Sequence, residues 1–323
     1  MAEKLLTHSL KKDLLAQMIR IRQLEEKIVE VYGEGHMRTP SHLSIGQEAV
    51  SVGVCQVLKE GDQIFASHRC HAAFLARGGT TESFFAELCG RAAGSNNGRG
   101  GSAHLAFASG GMYASPILGA MIPVAVGAAL AAAMDHSKQI SVAFLGDAAI
   151  EEGVFAESLN FAIIKKLPVF FVCENNLYST HAHIRDRQPA CAIYRRVAGQ
   201  GIATKQLDGN DVEKVYTSAL AAIQACRRGT GPVFLEYLTY RYREHVGPLY
   251  DYDKGYRTKK EVEAWQKKCP IEAYRKKLIR QKISTEQEFI RLQQQFSQEA
   301  ERAYRKALES PFPEPATLLD HVY

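Results

Sequence analysis

The 323-residue chain lacks the features that mark several large classes of protein. Its seven cysteines are irregularly spaced and include no CxxC pair, so neither a disulfide framework nor a zinc site is indicated. The first residues form no apolar signal-peptide core, and no segment reaches ~18 uninterrupted apolar residues. The net charge of +5 is small for this length, and no aromatic–basic nucleic-acid motif occurs. We therefore expect a reduced, soluble, cytoplasmic protein that binds neither membrane nor nucleic acid.

What the chain does contain is a strand, turn, helix and strand pattern over residues 142–178. The first apolar run ends in Gly146 and Asp147, a helical pattern follows, and a second apolar run ends shortly before Asn175 and Asn176. This order predicts two parallel strands joined by a crossover helix. The fold class that follows is α/β, with a parallel sheet flanked by helices.

Asp147 and Asn176 follow the carboxyl ends of these two predicted strands, where open α/β sheets bind ligands. Magnesium is usually held by one or two protein oxygens together with phosphate groups of a cofactor. The turn after Gly146 leads into a helix, and helix N-terminal amides favour anions. An ordinary βαβ unit with a polar turn and an asparagine cap would also explain these residues.

Motifs outside this region narrow the interpretation. GRGGSAHL, ENNLYS, YRYREH and SPFPEPATLLDHVY occur together with a Gly-Asp-x and an Asn-Asn motif that are separated by 26 residues. In this order they resemble the alpha subunit of the thiamine diphosphate-dependent, decarboxylating first component of 2-oxo acid dehydrogenase complexes, of the pyruvate, branched-chain and acetoin kind. The resemblance runs from about Leu14 to the C-terminus. It implies a single thiamine diphosphate-binding domain over residues 1–323, with N- and C-terminal helical extensions and a C-terminal helical region at 259–323.

The resemblance also implies the cofactors, thiamine diphosphate and magnesium, and three groups of site residues. The predicted magnesium ligands are Asp147, Asn176 and the backbone carbonyl of Tyr178. The predicted cofactor-binding residues are His68, Arg69, Leu118, Gly146, Asp147, Ala148, Ala149, Asn176 and Arg241. The predicted catalytic residues are His42, which would touch the 2-oxo acid, and His245, which would lie above the thiazolium ring. Taken alone, each histidine could equally be a structural contact.

Two positions depart from the family's pattern. Ala148 stands where the family usually has glycine after the aspartate, so we expect a weakened rather than lost cofactor site, unless the turn needs a positive φ. Val246 replaces the serine that is phosphorylated in regulated mitochondrial members, so we expect that control to be absent. Two further features stay open. The loop Gly98–Ser102 could form an ordinary turn or bind a ligand through its backbone amides. His71 could either position other residues or take part in catalysis.

Periodicity and capping residues predict the remaining elements. The predicted helices are Leu10–Val31, Gly46–Leu58, an apolar small-residue helix over 114–133 buried at a subunit contact, Asp211–Arg227 capped by Asn210, and a charged set over 259–308. The predicted strands are 64–66, 202–204 and 233–240, and residues 177–196 are predicted to be a mobile active-site loop.

Thiamine chemistry needs a glutamate that activates the cofactor, and in the resembling enzymes this glutamate lies in a beta subunit. A chain of 323 residues has room for one such domain and not for both. We therefore predict an α2β2 heterotetramer that is active only with its beta subunit and transfers the acyl group to a lipoyl-bearing acyltransferase. The alternative is a two-chain thiamine enzyme that passes the fragment to an aldehyde by carboligation or ketol transfer. The sequence leaves open which 2-oxo acid is used, which acceptor follows and which chain is the beta subunit.

Overall fold

The computed structural model describes residues 6–37, 39–189 and 192–320. The strands are β1 Gln63–Ala66, β2 Ala106–Phe107, β3 Met112–Ala114, β4 Ser141–Gly146, β5 Val169–Asn175, β6 Tyr178–Ser179, β7 Ala182–His183, β8 Ala203–Asp208 and β9 Val233–Leu238. The α-helices are α1 His8–Val31, α2 Glu48–Cys55, α3 His71–Ala76, α4 Thr81–Leu88, α5 Met121–Met134, α6 Gly153–Ile164, α7 Ile184–Arg187, α8 Ile193–Ala198, α9 Val212–Arg227, α10 Lys259–Gln266, α11 Pro270–Arg280 and α12 Glu286–Glu309. Short 3₁₀ helices occur at Tyr32–Glu34, Gly101–Ala103, Ala108–Gly110, Asp147–Glu151 and Pro315–Thr317.

Seven of these strands form one sheet in the order β2-β3-β1-β4-β5-β9-β8. The pairing of β2 with β3 is antiparallel, and every other neighbouring pair is parallel. The predicted parallel pairing of β4 with β5 is confirmed, with Gly146 opposite Glu174 in register. Because α6 connects these strands, both end at the same edge of the sheet, and the α/β fold class is confirmed.

Both faces of the central strands are buried, as expected for a parallel sheet covered by helices. Phe170 and Val172 point into one apolar cluster, and Phe171 and Cys173 point into the other. Helices α5, α6 and α8 cover the second face, whereas α2 and α9 cover the first. This alternation explains why β5 reads as a continuous apolar run.

The apolar segment over 114–133 is not one buried helix, contrary to prediction. Ala114 ends β3, and Gly119 adopts a φ of +79° before α5 begins at Met121. A left-handed residue interrupts the helical path, and glycine adopts this conformation at little cost. One side of α5 is also open in the single chain, because Val124 is 48% exposed. Its burial at a subunit contact remains a prediction.

Two further expectations are corrected. Asp211, not Asn210, caps α9, since its Oδ1 accepts from the backbone N–H of Lys214 at 3.1 Å. The Asn210 side chain instead donates to the carbonyl of Lys268. The loop that follows Asn176 carries regular structure, namely β6, β7 and α7, and its residues 190 and 191 lie outside the described part.

The charged C-terminal helices are present as predicted. The last of them, α12, packs against α1 and α4 and begins with a capping box between Thr285 and Glu288. Among the described residues, no helix combines the length and apolar character needed to cross a membrane.

Candidate cofactor and active site

A cleft at the carboxyl edge of the sheet collects most of the predicted site residues. Its lining residues are Gln47, Ser67, His68, Arg69, Leu118, Gly146, Asp147, Ala148, Glu174, Asn176, Tyr178, Ser179, Thr180 and His245. His42 lies beside this cleft, with its ring centroid 4.5 Å from that of His68 and 5.1 Å from that of His245. Ala149 and Arg241 do not line the cleft. The Ala149 side chain belongs to the apolar core, and Arg241 is fully buried.

The two predicted side-chain ligands for a metal are adjacent in the cleft. Asp147 is 1% exposed, and it lines the cleft together with Asn176 because β4 and β5 are paired in register. Asn176 Oδ1 accepts from the backbone N–H of Tyr178 at 3.1 Å, and its Nδ2 donates to Gln47 Oε1 at 3.2 Å. This orients the amide and leaves a second lone pair on Oδ1, because a carbonyl oxygen has two. The donor set is therefore of the hard-oxygen kind that magnesium prefers.

An arginine that was not predicted contacts this carboxylate. The Arg187 guanidinium, on α7, forms ion pairs with Asp147 and Glu151. Gln188 Nε2 donates to the Asp147 carbonyl at 3.1 Å and to Glu151 Oε1 at 2.7 Å. Burial raises the pKa of Asp147, and the neighbouring Arg187 charge opposes that rise. The segment IRDRQ could have suggested a basic partner, but no local pattern indicates that the loop turns back to β4.

Ala148 fits the turn without strain. It lies in the 3₁₀ helix Asp147–Glu151, and its φ is not positive, so the alanine methyl meets no backbone conflict there. The positive φ values near the cleft belong instead to Leu177, at +73°, and Thr180, at +50°. Left-handed backbone is costly for a β-branched residue such as Thr180, and such strain is typical of functional loops.

Three histidines from distant segments come together at the cleft. The rings of His42, His68 and His245 lie 4.5–5.4 Å apart between centroids. Burial and the nearby Arg69 charge lower the pKa of His42 to about 2, of His68 to about 4 and of His245 to about 3. All three are thus neutral at physiological pH.

The histidine nitrogens lie within 4.8 Å of one another, close enough that a metal ion could be considered. However, the burial and the Arg69 charge that oppose a proton here also oppose a dication. Neutral imidazole N–H donors beside a guanidinium instead favour an anion.

Arg69 and Arg241 have different surroundings. Arg69 lines the cleft, and donates to the Leu43 carbonyl at 2.5 Å and to the His245 carbonyl at 3.4 Å. Burial and the Arg241 charge lower the pKa of Arg69 to about 10, which leaves it charged at neutral pH. Arg241 is held by Asp251 at 3.1 Å and donates to the Thr180 carbonyl at 2.8 Å. The structure thus brings Arg69 to the cleft and Arg241 to the underside of the loop that bounds it.

Of the two interpretations of the glycine-rich loop, the structure supports the turn. The buried Glu87 carboxylate accepts four backbone N–H groups, at 2.6–3.0 Å, and the donors are Asn96, Gly98, Gly100 and Gly101. These amides therefore bind the protein's own carboxylate. At Gly98, where φ is +73°, a Cβ atom would lie 2.5 Å from the carbonyl carbon of Gly90. Glycine at that position is a packing requirement.

A buried carboxylate and an asparagine thus follow adjacent parallel strands of an α/β protein, at the sheet edge where this class of fold binds ligands. Residues 16–316 match the family model described as "Dehydrogenase E1 component". The chain therefore belongs to the dehydrogenase E1 component family, and the family recognised from the motifs is confirmed.

Curated relatives agree with this assignment over nearly the whole chain. The chain is 36% identical over 309 residues to the alpha subunit of acetoin:2,6-dichlorophenolindophenol oxidoreductase from Bacillus subtilis, covering 95% of this chain and 91% of the relative. It is 35% identical over 307 residues to the pyruvate dehydrogenase E1 component subunit alpha from Rickettsia felis, covering 95% and 93%. The corresponding Rhizobium meliloti subunit is 39% identical over 274 residues, covering 84% and 78%. The predicted function, an alpha subunit of a 2-oxo acid dehydrogenase, agrees with the subunits that these names describe.

Proposed function

We propose that the chain is the alpha subunit of a thiamine diphosphate- and magnesium-dependent 2-oxo acid dehydrogenase that works with a beta subunit in a cytoplasmic α2β2 complex. A lipoyl-bearing acyltransferase is the proposed acceptor. The observation that supports this best is that Asp147 and Asn176 line one cleft together with Arg69, His68 and His245, with His42 packed beside these two histidines.

Each part of the cleft suits one part of the proposed ligands. Asp147, Asn176 and the Tyr178 carbonyl would hold magnesium, and Arg69 would bind the diphosphate. His42 and His245 have depressed pKa values and are neutral, and each keeps one ring N–H that would donate a hydrogen bond to the 2-oxo acid. When bound, the cofactor supplies a thiazolium carbon that adds to the 2-oxo carbon and accepts the electrons released with CO₂.

Glu174 extends the cleft with a group whose charge can change. Burial raises the pKa of Glu174 to about 8, so the carboxyl is largely protonated at neutral pH when the cleft is as described. A protonated carboxyl can donate a hydrogen bond to an anion, whereas a carboxylate would repel it. Glu174 therefore does not oppose diphosphate binding beside Arg69.

The surface beside the cleft supports a partner chain. Ile117 is 66% exposed and Ile164 is 66% exposed, and Val124, Met134 and Phe161 are also exposed on α5 and α6. Large apolar side chains exposed on two helices that pack together, as on α5 and α6, are typical of protein interaction sites. Because Leu118 lies at the cleft, a beta subunit seated on this surface could complete the cofactor site.

The decisive experiment is co-expression of the chain with a candidate beta subunit from the same organism. The pair is assayed with a panel of 2-oxo acids and with acetoin, using 2,6-dichlorophenolindophenol as electron acceptor, in the presence and absence of thiamine diphosphate and magnesium. We expect dye reduction by the pair with one substrate class and none by either chain alone. Carbon–carbon bond formation with an added aldehyde, without dye reduction, would favour the carboligating alternative. Full activity of the chain alone would refute the dependence on a beta subunit.

A further inference from the structure

A fully buried chain of polar side chains lies behind the histidine cluster. It consists of Glu25 on α1, His71 at the start of α3 and Ser102 at the end of the glycine-rich loop. His71 Nδ1 lies 3.0 Å from Glu25 Oε1, and His71 Nε2 lies 2.8 Å from Ser102 Oγ. This is the order of a carboxylate–histidine–serine triad. Since all three side chains are inaccessible, the serine cannot act as a nucleophile toward a substrate.

The direction of these hydrogen bonds follows from the carboxylate end. As a carboxylate, Glu25 can only accept, and it accepts from the backbone N–H of Ser44 at 2.7 Å. His71 Nδ1 is then the donor to Glu25, and in the tautomer with its proton on Nδ1 the ring accepts at Nε2 from the Ser102 hydroxyl. Ser102 Oγ in turn accepts from the backbone N–H of His42 at 3.4 Å.

The segment that receives these contacts is the one that presents His42. Three successive residues are each held by a different side chain: His42 N–H by Ser102, the Leu43 carbonyl by Arg69, and Ser44 N–H by Glu25. The Glu87 carboxylate supports one of these restraints from behind, because it binds the amide of Gly101, the residue before Ser102.

We propose that Glu25, His71 and Ser102 form a positioning relay that fixes the backbone of His42 and thereby the packing of the histidine cluster. The relay resolves the open role of His71 in favour of ordering. The contacts described above support the geometry of the relay. Its effect on catalysis rests on the proposed function, in which His42 faces the substrate.

The direct test is the tautomer of His71, read from two-bond ¹⁵N–¹H correlation spectra of the histidine-labelled protein. Signals are assigned with His42→Gln and His71→Gln variants. We expect His71 to carry a proton on Nδ1 and none on Nε2. A proton on Nε2, or on both nitrogens, would overturn the derived direction of the relay.

Ser102→Ala tests the positioning role. We expect it to shift the His42 ring signals, whereas Ser95→Ala, in the same loop and bonded only weakly to the Ala106 amide at 3.5 Å, leaves them unchanged. If Ser102→Ala fails to fold, Ser102→Cys keeps the side-chain size with a weaker donor and should give the same shift in smaller degree. Unchanged His42 signals in the folded variant would refute the relay.

An activity assay distinguishes a failure of the relay from a failure of the proposed function. In the assembled pair, Ser102→Ala should raise KM for the 2-oxo acid by about tenfold, the equivalent of one lost hydrogen bond, while the cofactor dissociation constant stays within about twofold. A change confined to cofactor affinity would contradict the role assigned to His42. If the wild-type pair decarboxylates no 2-oxo acid, the proposed function fails, and the spectra still decide the relay.

Discussion

The guanidinium of Arg187 lies directly against the carboxylate of Asp147, the residue expected to bind magnesium. The ion pair joins a short helix of the loop after β5 to the end of β4. A buried carboxylate that is neutralised by an arginine cannot bind a dication without losing or sharing that partner. Arg187 is therefore placed to compete with the metal.

Replacing Arg187 should strengthen metal binding. Two unit charges about 4 Å apart interact by about 4 kcal/mol at an effective dielectric constant of 20. Removing even part of the competing attraction between Arg187 and Asp147 should therefore have a large effect on metal affinity. We expect Arg187→Gln to lower the magnesium dissociation constant by about tenfold in calorimetry with thiamine diphosphate present. Arg185→Gln, two residues earlier on the same helix and exposed, is the matched control. Weaker binding in the variant would show that Arg187 contacts the diphosphate instead.

Asp147→Asn should abolish cofactor retention while the fold survives. The asparagine keeps the shape of the side chain but removes the negative charge that a magnesium ligand supplies, and we expect the cofactor dissociation constant to rise roughly 100-fold or more. Thermal unfolding of the unliganded variant checks that folding is intact. Glu152→Gln, at an exposed position in the same turn, should bind normally. Normal binding by Asp147→Asn would remove this residue from the metal site.

Ala148→Gly should have little effect on stability and on cofactor affinity, although glycine is usual in the family. Because Ala148 does not adopt a positive φ, glycine gains no conformational advantage there and adds flexibility to the unfolded chain. We expect a loss of roughly 0.5–1 kcal/mol in the free energy of unfolding and less than about threefold change in cofactor affinity. Denaturant titration and calorimetry measure the two quantities. A tenfold gain in affinity would mean that the methyl group obstructs the ligand.

Arg241→Lys should weaken cofactor binding indirectly, because Arg241 stabilises the loop that contains Thr180. Lysine cannot reproduce the fork that reaches Asp251, the Thr180 carbonyl and the Tyr256 hydroxyl, so buried acceptors lose partners at a cost of about 1–3 kcal/mol each. We expect a lower unfolding midpoint together with at least tenfold weaker cofactor binding. Asp251→Asn should produce the same pair of changes. If only Arg241→Lys weakens binding, the arginine contacts the diphosphate directly.

The three cleft histidines should make stability fall at acidic pH. Their pKa values in the folded chain, about 2, 4 and 3, lie below the ordinary 6.5, so the unfolded chain binds more protons as the pH drops below 6.5. Their contribution is fully present above that pH and decreases toward pH 4. Denaturant midpoints at several pH values test this, with His104→Gln outside the cluster as control. A His42→Gln variant should lose part of the pH dependence. Titration of all three rings near pH 6.5 would contradict the assigned environment.

Much of this protein could be predicted from residues that lie near one another in the chain. Two apolar runs located β4 and β5, and because parallel neighbours end at the same edge, Asp147 and Asn176 were expected to lie close together. The cluster of His42, His68 and His245 followed only from the family resemblance, since they belong to three distant segments. A charged residue within an apolar helix stripe, Glu25, was a signal that could have revealed the buried relay.

The contacts that control the site were decided by tertiary structure. No local pattern indicates that Glu87 accepts from the amides of the glycine-rich loop, that Arg187 pairs with Asp147, or that the Arg241 guanidinium pairs with Asp251. Each of these groups is polar and buried, so its partner is whichever oppositely charged or hydrogen-bonding group the packing of the helices brings within about 3 Å. Sequence alone determined the sheet, its ligand-binding edge and the family, because these depend on periodicity and on short motifs. The orientation of the side chains around the cleft depends on contacts between residues that are distant in the sequence, so only the tertiary structure determines it.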